Sequence, residues 1–296
     1  MAKALAIMYH DVVPEGGFAL SGFNIVGADH YKLTEQQFEQ HLAAIAAAVK
    51  EKPVRISDGD WHTSFLFTVD DGGASSMYVA DQLERLGWRA HFLIATDYIG
   101  TTGFLAAAQI RELAERGHCI GSHTCSHPMP MWDCTPEQMY NEWYDSRQKL
   151  ESIIGREIIC ASVPGGAYVP AIAAAAARAG YRSLFNSEPT CQVQEVAGCR
   201  VIGRYGILRT TTSAEAAKLA SGDAIARSRQ WALWNTKKVV KKVAAKPYAA
   251  ARKLVMRRRY AESKHLAAAP ATQVSSEGSA SERSAQAIAP KGPGRT

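Results

Sequence analysis

Three short stretches carry residues able to do chemistry. Asp70 and Asp71 follow the apolar run Phe65-Leu66-Phe67-Thr68-Val69 and precede Gly72-Gly73. Adjacent side chains on a strand point to opposite faces, so two neighbouring acids need not do one job. One can bind a metal while the other takes a proton. The second stretch is Ser122-His123-Thr124-Cys125-Ser126-His127-Pro128, which follows Cys119-Ile120-Gly121. Two histidines four apart meet on one face if the turn is helical. Imidazole nitrogens suit a borderline cation such as zinc, and two histidines with one carboxylate leave a position open for water. A cation there lowers the pKa of water, and a free carboxylate nearby can remove its proton. The third stretch is His10-Asp11, after the first apolar run. A histidine there is a candidate general acid, because its pKa lies near working pH.

These residues need a scaffold that brings strand ends together. Short apolar runs recur at Ala4–Tyr9, Ser64–Val69, Arg89–Ala95, Cys119–Gly121, Glu157–Ala161, Arg182–Phe185 and Arg200–Ile202. Helical patterns separate them. The segment Thr34 to Lys50 opens with a capping-box spacing at Thr34 and Gln37 and places Phe38, Leu42, Ile45 and Val49 on one stripe. Ser75 to Leu86 repeats the stripe, and Phe104 to Arg116 stops at Gly117. Thr135-Pro136 starts a helix that Gly155 ends, and Ala171 to Ala179 closes at Gly180. Such alternation predicts an α/β protein, a distorted (β/α) barrel of about seven strands. In a barrel the functional residues stand at the C-terminal ends of strands, where all three stretches fall.

Charge divides the chain. The net charge of +6 is an average over unlike parts. Residues 1–224 hold 18 basic and 25 acidic residues, a balance of −7; residues 225–260 hold 12 basic and none acidic; residues 261–296 hold 4 basic and 3 acidic. This predicts a catalytic domain over 1–224, a basic helical extension over 225–260 interrupted at Pro247, and a disordered tail over 261–296 rich in Ala, Ser, Pro and Gly. Lys237, Lys238, Lys241 and Lys242 share a helical face beside Val239, Val240 and Val243, with Trp231 and Trp234 upstream. That pattern fits an interfacial helix on an anionic membrane surface better than nucleic acid, the rival reading, or a solvated extension. No secretory or membrane-spanning stretch is visible, so a cytoplasmic location is expected, peripheral to the inner face of the membrane. The six cysteines lack paired C-x-x-C spacing and read as reduced core thiols.

With these residues in place, the chain resembles the polysaccharide deacetylases of carbohydrate esterase family 4, the NodB-like group, over about residues 1–210. Thr68-Val69-Asp70-Asp71-Gly72 matches the first family motif and His123-Thr124-Cys125-Ser126-His127 the second; Ser162-Val163-Pro164-Gly165-Gly166 matches the third in part. The resemblance implies that Asp71, His123 and His127 hold a divalent metal ion, most commonly Zn2+, and that Asp70 is the general base. It implies hydrolysis of an acetamide on an N-acetylated sugar or glycan by metal-activated water. A backbone N–H near Gly165 would stabilise the oxyanion, with Pro164, Gly165, Gly166 and Trp132 lining the substrate site. Two departures stand out. The late Leu-x-x-His motif is missing, and Tyr9-His10-Asp11 resembles the permuted subset in which an early histidine is the acid; His10 takes that role here. Ser162 stands where the third motif usually carries the Arg that orients the base, with Arg204 a stand-in or a plain surface charge. The glycine pair replaces an aromatic and is expected to open the pocket floor. Two alternatives remain: a deformylase of a lipid-linked amino sugar, and a catalytically degenerate carbohydrate-binding protein. His91 and His118 read as core histidines; His30, His41, His62 and His265 show no partner pattern; Trp61 and Trp143 are weaker sugar-stacking candidates than Trp132.

Overall fold

The computed structural model describes residues 2–25, 27–58 and 65–243. In chain order the strands and helices are β1 (Leu5–Tyr9), β2 (Val12–Val13), β3 (Leu33–Thr34), α1 (Glu35–Ala48), β4 (Phe65–Val69), α2 (Ser76–Arg85), β5 (His91–Ile94) and α3 (Ala107–Glu115). There follow β6 (Cys119–Ser122), α4 (Pro136–Ile154), β7 (Cys160–Ser162), α5 (Pro170–Arg178), β8 (Ser183–Phe185), β9 (Gln194–Val196), β10 (Cys199–Ile202), β11 (Tyr205–Gly206), α6 (Ser213–Ala220) and α7 (Ala224–Val243). Nine strands form one curled sheet in the order β11-β1-β4-β5-β6-β7-β8-β10-β9, a half-barrel of the (β/α) kind. The seven expected strands are all present in it. The two others are β11, parallel to β1, and β9, antiparallel to β10. A bridge between Lys3 and Gln192, with Ala4 N–H donating to Cys191 O at 2.9 Å, ties the chain ahead of β1 to the chain ahead of β9.

Helix ends follow their local chemistry. Thr34 and Gln37 close a reciprocal capping box at the start of α1. Thr135 does the same for α4 with Gln138, and Pro136 occupies the first helical position, where its missing N–H costs nothing. Gly155 ends α4 in a left-handed conformation.

Strand periodicity divides the core in two. On β4, Phe65, Phe67 and Val69 join the large cluster under the helices, with Phe38, Leu42, Val79, Leu83, Trp143 and Leu150. Alternate residues Ala6, Leu66, Leu93, Cys160, Phe185 and Ile202 pack together on the concave face. Continuing that inner alternation by two residues along each strand gives Thr68 and Asp70 after Leu66, Ser162 after Cys160, and Arg204 after Ile202. The concave face thus turns from apolar to polar at the C-terminal ends of the strands.

The first turns of α7 are joined to the body. Gln230 exchanges two hydrogen bonds with the Gly206 backbone, and Arg227 donates to Cys191 Sγ at 3.0 Å. Residues 244–260 of the basic extension, the tail read over 261–296, Trp61, His62 and Ser64 lie outside the described residues.

Candidate active site

Asp70 ends the inner row of β4 and is almost fully buried. Arg204, itself 0% exposed, grips it with both arms: Nη1 donates to Oδ1 at 2.6 Å and Nη2 to Oδ2 at 2.8 Å. The guanidinium is fixed in turn by Asn186 O at 3.0 Å and Thr68 Oγ1 at 3.1 Å, and lies 5.6 Å from the centre of the Phe185 ring. Burial pushes the Asp70 carboxyl up, but the charges of Arg204 and His123 outweigh it and hold the group below the usual carboxylate range. Arg204 is therefore a buried partner of Asp70 and not a surface charge. It reaches Asp70 from the chain after β10, while Ser162 on β7 is small enough to leave it room.

Asp71 breaks the alternation. Its φ of 76° is left-handed, rare for a residue with a side chain, and turns its carboxylate toward the histidines. Asp71 Oδ1 stands 3.3 Å from His123 Nε2 and 3.6 Å from His127 Nε2. Ligand atoms of Asp71, His123 and His127 all lie within 4.8 Å of one another. The two histidines do not meet through a helical turn. The loop between them is irregular, with Thr124 at φ 68° and His127 at φ 59°. Three non-glycine residues in left-handed conformations thus cluster at one site, a strain that persists only where the surroundings fix it.

The donor set fits a divalent cation. His123 Nδ1 lies 2.9 Å from Ser162 O and 2.6 Å from Ser162 Oγ, leaving Nε2 toward the centre. Burial and the charge of His123 lower the His127 pKa to about 4, so its ring is neutral and its lone pair available. Asp71 is buried, yet the hydrogen bond from His123 and the charges of His10 and His123 hold it ionised. Two imidazole nitrogens and one carboxylate oxygen are the ligand count of a catalytic zinc site.

His10 follows β1 and lies close enough for its charge to act on both Asp70 and Asp71. Its Nδ1 is buried and has no hydrogen-bond partner among the described residues. The ring packs instead on Tyr31, 4.7 Å between centres. Asp11 turns away from the centre: Ser21 Oγ donates to it at 2.6 Å and Ser75 Oγ at 3.0 Å. Buried Lys32 donates to Phe18 O at 2.6 Å and Ser21 O at 2.7 Å, and these bonds fasten the loop between β2 and β3. That loop places Phe23 4.5 Å from the His127 ring. Neither Phe23 nor Tyr31 is marked by any motif.

Pro164, Gly165 and Gly166 form a turn directly after β7. Both glycines have positive φ; a Cβ on Gly165 would meet Met129 Sδ at 2.8 Å, and one on Gly166 would strike Ser187. The space beside the pair is therefore filled by Met129 and Ser187, where an open floor was expected. Trp132 stands 48% exposed just beyond the second histidine, whereas Trp143 is fully buried in the core. Ser126, Met129, Asp133, Cys134 and Glu142 line an open pocket of about 380 Å³ beside His127. The remaining described histidines near the sheet are structural: His91 bonds Phe67 O and Ile56 N–H, His118 bonds Ala90 N–H and Glu84, and His41 bonds Tyr9 and Thr211. All six cysteines are free thiols.

Residues 61–184 match the family model described as polysaccharide deacetylase. A comparison with curated proteins returns no match. Among solved structures, the fold is similar to the polysaccharide deacetylase BC0361 from Bacillus cereus, with a TM-score of 0.62 and 20% identity over 73% of this chain and 69% of that one. It is also similar to the deacetylase PplD from Streptococcus pyogenes, with a TM-score of 0.58 and 19% identity over 71% and 95% of the two chains. IcaB from Ammonifex degensii matches with a TM-score of 0.58 and 17% identity over 74% and 98%. At these identities the likeness is one of fold.

Proposed function

We propose that the chain, whose residues 61–184 match the polysaccharide deacetylase family model, is a metal-dependent hydrolase that removes N-acetyl groups from an amino sugar in a glycan or lipid-linked glycan precursor. The observation that carries this is the convergence of Asp71, His123 and His127 beside an Arg204-held Asp70. Asp71, His123 and His127 would hold the cation, Zn2+ by the chemistry of the donors. When bound, it would polarise the amide carbonyl and lower the pKa of water.

The chain's own groups supply the rest. Asp70, kept ionised and fixed in place by Arg204, accepts a proton from the attacking water. The water oxygen bonds to the acetyl carbon and the carbon–nitrogen bond breaks. His10, on the β1 side of the centre, gives a proton to the departing amine. The backbone N–H of Gly165, in the turn of Pro164, Gly165 and Gly166, offers a hydrogen bond to the developing oxyanion. Trp132 offers an exposed ring for a sugar face.

Arg204 also weighs against a degenerate, binding-only site, since it restores the orienting cation that position 162 lacks. Mass spectrometry of the small acid released from N-acetyl and N-formyl amino sugars tests the leaving group. Acetate supports the proposal; formate alone would replace it with a deformylase.

Among the described residues, no helix is long and apolar enough to cross a membrane. The proposal includes docking of residues 225–260 on an anionic membrane surface, which fits the cytoplasmic leaflet. It is supported by 12 basic residues with no acid, and by Ile225, Trp231 and Leu233 standing 81%, 55% and 54% exposed on α7.

A further inference from the structure

The loop joining His123 to His127 is held from outside on two sides: Thr96 N–H donates to Thr124 O at 3.0 Å and Asp97 N–H to Cys125 O at 3.1 Å, while one carboxylate takes the loop's own donors. Glu142, half-buried on α4, accepts the N–H of Cys125 and the N–H of Ser126 on Oε2, each at 2.9 Å. Its Oε1 accepts the Ser126 hydroxyl at 2.6 Å. All three donors lie in the short span between the two histidines. A carboxylate suits this task, because an ionised carboxyl accepts only and its two oxygens meet three donors. Inside the loop, His127 N–H donates to Thr124 Oγ1 at 3.1 Å and Thr124 N–H to Ser122 Oγ at 2.9 Å. Those bonds shape the turn, and the Thr96 and Asp97 bonds fix its carbonyls; Glu142 fixes its N–H groups at Cys125 and Ser126, from a helix that is firmly seated. Trp143, the next residue, is fully buried, and Ser146 Oγ lies 2.6 Å from Ser122 Oγ at the end of β6. The left-handed conformations of Thr124 and His127 need such outside restraint, since they are unfavourable on their own.

We propose that Glu142 is a positioning residue of the metal centre, holding the Cys125–Ser126 span so that His127 Nε2 faces Asp71 and His123. This rests on the reading of Asp71, His123 and His127 as metal ligands. Removing an outer partner of a ligand typically costs about 10- to 100-fold in metal affinity.

The test is the affinity of the full chain for Zn2+ alone, by competition with a chromophoric chelator, together with the visible absorption of the Co2+-loaded protein. Glu142→Ala should weaken Zn2+ about 10- to 100-fold and alter the Co2+ spectrum. Glu142→Gln, which keeps an oxygen for the two backbone donors, should stay within about threefold of the parent. Ser126→Ala, at an exposed position, removes one bond of the three and should weaken Zn2+ about threefold without affecting folding. A merely structural role would lower the melting temperature while leaving affinity and spectrum unchanged, and that result would overturn the proposal. So would unchanged affinity in Ser126→Ala if Glu142→Ala fails to fold. Asp71→Ala separates the two levels: if it binds Zn2+ like the parent, the ligand reading itself fails; if it loses Zn2+ while Glu142→Ala does not, only the role of Glu142 fails.

Discussion

Asp70 and Asp71 are neighbours that face different partners. Asp70 keeps the strand alternation and lands on the concave face against Arg204; Asp71 leaves it through a left-handed φ and joins the histidines. Replacing Asp70 by Asn should lower kcat by about 10²- to 10⁴-fold, the usual contribution of a general base, with Zn2+ content unchanged by metal analysis. Arg204→Met leaves a buried carboxylate without its partner and should destabilise the fold by about 3–5 kcal/mol in urea titrations. Adding Asp70→Asn to Arg204→Met should recover part of that stability and none of the activity. The two acids and the two histidines are legible in the sequence because each pair is local and sits at a strand end. Arg204 is legible only as one of two readings, a stand-in cation or a surface charge, because it is 134 residues from Asp70 and meets it only through the strand order. Ser162 in place of an arginine asks for another cation, and the sequence alone leaves Arg204 between that role and a surface charge. Tyr31 and Phe23 gave no signal, since their place depends on a loop fastened by Lys32 and Asp11.

The elements follow punctuation that the chain carries openly. Thr34 with Gln37, Thr135 with Pro136, and Gly117, Gly155 and Gly180 mark helix ends where the structure has them. The strands that were not anticipated are two or three residues long. Gln194–Val196 and Tyr205–Gly206 contain no apolar run, and their neighbours, β10 and β1, define them. The turn between the histidines is irregular where a helical one was the simplest expectation, because Thr124, Glu142 and the backbone N–H groups of Thr96 and Asp97 all bond to it. Losing the cap of α4 through Thr135→Ala should cost about 1 kcal/mol in a denaturant midpoint measurement. That helix carries Glu142, so its seating bears on the site as well as on the fold.

At the scale of the whole molecule, charge and chemistry separate. The body over 1–224 is acidic and holds the candidate catalytic residues; the 12 basic residues of 225–260 lie beyond it. Replacing Trp231 and Leu233 by Ser should leave turnover of a soluble substrate unchanged and reduce co-sedimentation with phosphatidylserine vesicles by about tenfold; binding equal to the parent would remove the membrane from the account. The central claim is that a metal held by Asp71, His123 and His127 works with Asp70 to release acetate. The most direct test is acetate release from a defined N-acetylglucosamine oligomer by the full chain, before and after chelation and after reloading with Zn2+. The account predicts loss of release on chelation, recovery on reloading, and no recovery in Asp71→Ala. Release that survives chelation, or that Asp71→Ala restores to the level of the parent, would contradict it.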